Sequence, residues 1–210
     1  DLAAALPSHA PVPALPPVTP PKGETVRIPF ASAQAHIAIG MPAVKRSDPD
    51  YYALLVGNYT LGGGGFVSRL MHEVREQRGY AYDVHSYFAP RKLEGPFQIG
   101  LQTKREQADA ALKVTDDVLD GFLKSGPSAA ELKAAKDYLV DSLALRTDSN
   151  AKLLGYLSAI GFYDLPLDYI DQFPKLIDTV TAAQVRAAFA SHVHKDNLVT
   201  VVVGGDAAEK

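Results

Sequence analysis

Residues 58–88 read NYTLGGGGFVSRLMHEVREQRGYAYDVHSYF and carry the strongest local signals in the chain. Four consecutive glycines, Gly62 to Gly65, interrupt a helical pattern, because glycine is costly inside a helix. Apolar residues then recur at helical spacing from Phe66 to about Gln77. Gly79 leads into an aromatic run from Tyr80 to Phe88, which is typical of a strand. The stretch therefore predicts a helix, a glycine connection, a second helix and a strand.

Strands and helices are also predicted on both sides of this stretch. Before it, two strands are predicted at Thr25–Phe30 and Gln34–Met41, followed by a helix from about Asp50 to Leu61. In the second strand, polar or small residues alternate with apolar ones, so its two faces should differ in burial. After it, a strand at Pro96–Thr103 is expected to pair antiparallel with Tyr80–Phe88. The remaining predicted elements are helices at 106–124, 128–147, 151–163, 169–179 and 182–192 and a buried strand at 197–203. Ser128 and Glu131 have the spacing of a capping box, which should begin the second of these helices. Because strands and helices do not alternate strictly, we expect an α+β fold, with helices packed on one face of a mostly antiparallel sheet.

The two ends of the chain differ from its middle in composition. Prolines recur from Pro7 to Pro21, and proline lacks an N–H and favours extended backbone. We therefore predict that residues 1–23 are a semi-rigid linker from an upstream domain, that residues 24–205 form the globular domain, and that residues 206–210 are a tail. The chain is expected to be a piece of a longer protein.

Composition argues against several classes of partner and site. The chain has 210 residues and a formal net charge of −3, so no positive excess favours nucleic acid. No apolar run approaches the roughly 20 residues that a membrane-spanning helix needs. Cysteine is absent, which excludes disulfides and thiolate zinc ligands. The alanine- and proline-rich start is compatible with the bacterial periplasm or cell envelope, and the cytoplasm is the alternative.

The histidines form no recognisable metal motif. His72 is followed by Glu73 and, where a zinc helix would need its second histidine, by Glu76. His192 and His194 form an H-x-H before the last strand, but no partner is evident. The other histidines of the globular part are single residues in predicted strands, His36 and His85, which are more often structural than ligands. The sequence therefore predicts no metal site within this chain.

The glycine run allows two interpretations. A phosphate loop is disfavoured, because the run lacks the trailing Lys-Ser/Thr and follows a helix instead of a strand. The run can be a tight, flexible connection between two helices. Alternatively, it can permit the close approach of another backbone, such as an extended peptide.

Arg75 and Tyr82 allow a structural and a functional interpretation as well. Arg75 lies near the end of a predicted helix, where a cation is favourable, and Tyr82 lies early in the next strand, where a half-buried aromatic is ordinary. The residues alone leave both interpretations open.

The whole motif resembles a known family. The pattern N-Y-x-L-G-G-G-G-F-x-S-R-L-x-x-E-V-R-E-x-R-G-x-A-Y-x-V-x-S-Y, from Asn58 to Tyr87, is similar to the C-terminal domain of the pitrilysin/insulinase family of zinc peptidases. This family includes the mitochondrial processing peptidases. DPDYYA at 48–53 and QAHIAIG at 34–40 fit the same family, and the resemblance extends over about residues 22–205.

The resemblance implies homologous domains arranged as a clamshell around a peptide chamber. One half would carry zinc on an H-x-x-E-H helix, and the opposing half would contribute an Arg and a Tyr, which match Arg75 and Tyr82. Tyr82 would then donate to the oxyanion of the tetrahedral intermediate, and Arg75 would position a substrate carbonyl. The residues that would correspond to the substrate-handling glycine loop of the processing peptidases are Gly62, Gly63, Gly64 and Gly65.

The resemblance also implies a division of labour between two halves. This chain would be the non-zinc half of a zinc metalloendopeptidase, with zinc in a missing N-terminal domain or a partner subunit and with a peptide as substrate. A homodimer is compatible with the paired halves of the family. The alternative is a catalytically inactive scaffold or peptide-binding subunit that pairs with a zinc-bearing partner. Alone, the chain is expected neither to bind zinc tightly nor to cleave peptides.

Overall fold

The computed structural model describes residues 14–204, in which five strands form a single sheet. The strands are β1 (Glu24–Ile28), β2 (Gln34–Val44), β3 (Ala81–Phe88), β4 (Gly95–Lys104) and β5 (Val199–Val203). Their order across the sheet is β1-β5-β2-β4-β3. The pair β1 and β5 is parallel, and the other neighbouring pairs are antiparallel. The predicted α+β fold with a mostly antiparallel sheet is confirmed.

The helices follow the predicted order, with one interruption. They are α1 (Tyr51–Asn58), α2 (Ala108–Ser125), α3 (Ala129–Asp141), α4 (Leu143–Arg146), α5 (Asn150–Tyr163), α6 (Tyr169–Thr179) and α7 (Ala182–His192). The capping box of Ser128 and Glu131 begins α3 as predicted. The prediction of a single helix over 128–147 is wrong, because the helix is interrupted at Ser142, between α3 and α4.

One face of the sheet is buried under the helices, and the other carries exposed residues. In β2, Ile37 and Ile39 are buried, whereas His36 and Ala38 are exposed, as the period of two in a strand requires. The centre of the core contains three fully buried phenylalanines, Phe97 of β4, Phe122 of α2 and Phe189 of α7. We call the sheet face that bears His36 and Ala38 the open face.

The segment before β1 has neither helix nor strand from residue 14 to residue 23. It is attached at its end, where the Gly23 N–H donates to the Asp196 carbonyl oxygen at 2.6 Å. The first 13 residues of the predicted linker and the predicted tail at 206–210 lie outside the described residues. Within residues 14–204, no helix is long and apolar enough to cross a membrane.

Only the second half of the glycine run lies in the predicted connection between two helices. Residues 59–63 continue α1 as a π-helical turn, and the Gly64 N–H donates to the Tyr59 carbonyl oxygen at 2.8 Å. Gly62 and Gly63 are therefore helical, which corrects the prediction that all four glycines lie beyond the helix. The next helix was predicted to begin at Phe66. Instead, a single 3-10 turn leads to Ser68, whose backbone is extended, and the helix begins after it.

Close packing explains why Gly62 lies within this turn. A Cβ atom at Gly62 would lie 2.5 Å from Ser86 Oγ and 2.6 Å from the Ser86 backbone nitrogen. Glycine therefore allows the end of the helix to lie directly against β3. Asn58 and Ser86, both buried, join the two elements by hydrogen bonds at the same place.

Candidate functional site

Arg75 and Tyr82 lie on either side of a sharp reversal of the chain. Arg75 belongs to the π-helical turn Met71–Glu76, and Tyr82 is the second residue of β3. The helix ends at Gly79, which has a φ of 63° and donates its N–H to the Arg75 carbonyl oxygen at 2.8 Å. Because this left-handed conformation favours glycine, Gly79 allows the tight turn between helix and strand. This turn brings Arg75 and Tyr82, which are seven residues apart in the sequence, into contact.

The Arg75 guanidinium lies against two exposed aromatic rings. Its Cζ atom is 4.5 Å from the centroid of the Tyr82 ring and 4.6 Å from the centroid of the Phe66 ring. Tyr82 is 82% exposed and Phe66 is 61% exposed, so both rings are accessible to a ligand. Each such cation–π contact contributes about 0.5–1 kcal/mol at an exposed site. Phe66, which sequence reasoning did not single out, therefore helps to orient Arg75.

The hydrogen-bond donors of this pair are not used within the described chain. Among residues 14–204, no carboxylate lies within 4.0 Å of the Arg75 guanidinium, since Glu73 pairs with Arg78 and Glu76 lies beside His72. Nor does the Tyr82 hydroxyl form a hydrogen bond in this part of the chain. An arginine has five N–H donors and a tyrosine has one O–H donor. The pair can therefore donate to an acceptor such as a peptide carbonyl.

Arg75 and Tyr82 line a groove of about 920 Å³ on the open face of the sheet. Two small residues, Ala38 of β2 and Gly100 of β4, lie opposite each other on neighbouring strands and leave room in the groove. Polar side chains surround them, and these are His36, Asp83, His85, Gln102 and Lys104. An extended ligand in the groove would therefore lie over two small residues and would have several polar side chains within reach.

The structure places both single histidines, His36 and His85, in this groove. The Nδ1 atom of His85 is 2.8 Å from an Asp83 carboxylate oxygen. Its ring also lies close to Gly100, where an added Cβ would be 3.2 Å from His85 Nε2. Both histidines are exposed, and His36 lies on the face opposite Ile37, as the predicted alternation in β2 requires.

The four glycines do not line the groove. Added Cβ atoms at Gly63 and Gly64 would lie 2.6 Å from Asn58 Nδ2 and 2.7 Å from the Tyr59 carbonyl oxygen, so contacts within the turn require both glycines. Gly65 has a φ of 59° and open space around it. Close packing within the protein itself, which neither sequence interpretation proposed, accounts for the first three glycines. Contact of the run with a substrate stays a prediction.

Arg69 anchors the helix that bears Arg75. Its Nε donates to Glu131 Oε1 at 2.7 Å, and its Nη2 donates to Glu131 Oε2 at 2.8 Å. These hydrogen bonds hold the pKa of Glu131 at about 2, well below its usual range. The Arg69 guanidinium carbon also lies 5.2 Å from the centroid of the Phe122 ring. The bidentate ion pair, together with the hydrogen bond from Arg69 Nη2 to the Gly126 carbonyl oxygen, thus ties the site to the junction of α2 and α3.

Similarity to known proteins extends over most of this structure. A family model described as the peptidase M16 inactive domain matches residues 2–139. The chain is 33% identical over 154 residues to an uncharacterized zinc protease of Streptomyces coelicolor, covering 73% of this chain and 33% of that protein. It is 26% identical over 178 residues to a Helicobacter pylori protein named non-peptidase homolog YmxG, covering 84% of this chain and 41% of that one.

Comparison with solved structures also finds similarity to a peptidase M16 inactive domain. The chain matches the crystal structure of a peptidase M16 inactive domain from Pseudomonas fluorescens with a TM-score of 0.90 and 41% sequence identity. This match covers 100% of the chain and 50% of the Pseudomonas chain. The chain therefore spans between a third and a half of the length of these similar proteins.

Proposed function

The chain belongs to the peptidase M16 inactive-domain family, and on that premise we propose that it forms the non-zinc half of a peptide-cleaving site. Membership confirms the resemblance of residues 58–87 to this family of zinc peptidases. An inactive-type domain implies pairing with a zinc-bearing domain, which would be upstream in a longer chain or on a partner subunit. The proposal assigns substrate contacts to Arg75 and Tyr82.

The observation that carries this proposal is the exposed contact between Arg75 and Tyr82 at the edge of the groove. Arg75, packed against two aromatic rings and without a carboxylate partner in residues 14–204, would donate to a carbonyl of an extended peptide. The Tyr82 hydroxyl would donate to the oxygen on which negative charge develops during attack on the scissile carbonyl. Preorganised donors of this kind stabilise the transition state more than the substrate.

The groove itself does not suit a catalytic zinc ion. Zinc at a hydrolytic site is usually held by three protein ligands, and the groove residues within 14–204 include no such cluster of three. Zinc would therefore be held by the other half, where it would activate the attacking water. The role of this chain is to bind and orient the peptide from the opposite side.

A test compares peptide hydrolysis by the complete, zinc-loaded protein with and without the Tyr82 hydroxyl. Tyr82→Phe should lower kcat by about a hundredfold or more, as expected for the loss of one oxyanion donor. Arg75→Ala should also lower kcat/KM. Tyr87→Phe is the matched control, because Tyr87 is an exposed tyrosine of the same strand that does not line the groove. Normal turnover by Tyr82→Phe, with unchanged zinc content, would refute the assigned role.

A peptide-binding subunit without catalytic function is the second candidate. It is favoured by the name of the Helicobacter pylori relative, a non-peptidase homolog that is 26% identical to this chain. In this case Arg75→Ala would weaken the binding of an unstructured peptide, measured by fluorescence anisotropy, while the complete protein would not hydrolyse that peptide. Hydrolysis that depends on Tyr82 would instead favour the first candidate.

A further inference from the structure

Three side chains with metal-ligating atoms meet away from the groove, and these are Asp48, Asp50 and His192. Both aspartates follow the C-terminal end of β2. The groove residue Tyr82 lies at the opposite edge of the sheet's length, level with the N-terminal end of β2. His192 is the last residue of α7. Its Nε2 atom is 3.5 Å from Asp48 Oδ1 and 3.3 Å from Asp50 Oδ2.

The other ring nitrogen of His192 fixes the chemistry of this cluster. Nδ1 lies 3.0 Å from the carbonyl oxygen of Ala43, and a carbonyl can only accept, so Nδ1 carries the hydrogen. In the neutral ring, the lone pair of Nε2 would then face two carboxylates that also only accept. This arrangement is repulsive unless Nε2 gains a proton or a metal cation lies between the three groups. A backbone carbonyl that orients Nδ1–H is also the usual outer partner of a metal-ligating histidine.

Charge balance favours a divalent cation. Among residues 14–204, no lysine or arginine nitrogen lies within 4.0 Å of the Asp48 or Asp50 carboxylate. A protonated imidazole would leave the three groups with a net charge of −1, whereas a neutral imidazole with a bound divalent cation would leave them neutral. The side chains of Asp48 and His192 are only 16% and 15% exposed, so water compensates them poorly, whereas Asp50 is 44% exposed and gives an ion access from solvent.

The distances also suit a small, tetrahedrally coordinated ion. Zinc binds histidine nitrogen and carboxylate oxygen at about 2.0–2.1 Å, which gives a separation of about 3.3 Å between two tetrahedral ligands. The separations of 3.3 and 3.5 Å from Nε2 to the two carboxylates are close to this value. Imidazole as a ligand favours zinc over magnesium or calcium, which prefer oxygen alone.

We infer that Asp48, Asp50 and His192 form a structural divalent-cation site for an ion of the zinc class. The ion would tie the C-terminal end of α7 to the residues that immediately precede α1. This inference departs from the sequence prediction that the chain holds no metal site. His192 had no evident partner in the sequence because the aspartates meet it only in the folded chain.

The test measures zinc bound by the tag-free chain after removal of metal with EDTA and equilibrium dialysis against a buffered zinc solution. We expect one zinc per chain by elemental analysis and a thermal midpoint that rises with free zinc, as mass action requires. Asp50→Asn and His192→Gln should each lose the bound zinc and the shift in midpoint. The Asp50→Asn variant should fold, because asparagine has the same shape as aspartate and is equally favourable at the position before a helix.

Two control variants separate this site from incidental zinc binding. His72→Gln removes the exposed pair of His72 and Glu76, whose atoms are 3.1 Å apart, and should leave the zinc content unchanged. His194→Gln tests the other histidine of the H-x-H and should also have no effect. Zinc-free wild type, or equal zinc in wild type and Asp50→Asn, would overturn the inference. Because only this chain is measured, the result is independent of zinc in the other half and of the proposed function.

Discussion

Asn58 and Ser86 exchange two buried hydrogen bonds where the end of α1 meets β3. The Asn58 amide donates to the Ser86 carbonyl oxygen at 3.0 Å, and the Ser86 hydroxyl donates to Asn58 Oδ1 at 2.7 Å. The two residues are 8% and 2% exposed. Since β3 also carries Tyr82, this pair fixes the helix that precedes the site against the strand that bears it.

Replacing Asn58 by alanine should therefore destabilise the fold. The change leaves the buried Ser86 carbonyl and hydroxyl without their partner, and each unsatisfied buried group costs about 1–3 kcal/mol. We expect the free energy of unfolding, measured in urea, to fall by at least about 1 kcal/mol. Asn150→Ala, at an exposed position in α5, should change it by less than about 0.5 kcal/mol. Equal effects of the two changes would contradict the role assigned to Asn58.

Alanine at Gly62 should also be destabilising, for a steric reason. The new Cβ would lie 2.5 Å from Ser86 Oγ, and overpacking of this kind costs about 1–3 kcal/mol. The control is Gly155→Ala in α5, where no atom lies within 4 Å of the added Cβ. That change should raise stability by about 0.5–1 kcal/mol, because alanine favours helix. Thermal or urea unfolding of both variants would show opposite shifts, and a stable Gly62→Ala variant would disprove the proposed contact.

Loss of the Phe66 ring should weaken peptide recognition without unfolding the protein. Phe66→Leu removes one of the two cation–π contacts of Arg75, worth about 0.5–1 kcal/mol, or about two- to fivefold in affinity. Peptide binding or kcat/KM of the complete protein measures this loss. Val67→Ala, at a neighbouring residue that is 68% exposed, provides the control. If Phe66→Leu binds peptide as tightly as Val67→Ala does, the ring does not orient Arg75 for binding.

The pair of Arg69 and Glu131 should make stability depend on acid pH. The pKa of Glu131 falls from 4.5 to about 2 on folding, so its contribution is complete above pH 4.5 and is lost as pH falls through 2. For this partly exposed pair we expect about 1–2 kcal/mol after screening by solvent. Glu131→Gln should lower the free energy of unfolding by this amount at pH 6, and the difference from wild type should shrink toward pH 2. A difference independent of pH would show that the charge of Glu131 is not responsible.

Local signals in the sequence were sufficient for most of the architecture. Alternating burial in β2 and the capping box of Ser128 and Glu131 are short-range patterns, and both were predicted correctly. The juxtaposition of Arg75 and Tyr82 could also be expected, since the glycine that ends the helix lies between them in the chain. Their catalytic roles, the cellular location and self-association stay predictions.

The features that were missed depend on contacts between residues that are distant in sequence. The helical conformation of Gly62 follows from its packing against Ser86, and the helix propensities of neighbouring residues give no sign of this contact. Similarly, His192 meets Asp48 only because α7 ends beside the loop after β2. Phe66 was interpreted as part of an apolar helical stripe, but the extended backbone at Ser68 leaves it outside the helix and exposed.

The parallel pairing of β1 with β5 has a mechanical consequence. All five residues of β1 are exposed, and they pair in register from Glu24 with Val199 to Ile28 with Val203. In a parallel pair, tension applied at Glu24 and at Val203 pulls from opposite ends of the ladder. Such a load shears all the backbone hydrogen bonds together instead of opening them one by one. The domain can therefore resist pulling through its first and last strands even though β1 contributes little to the hydrophobic core.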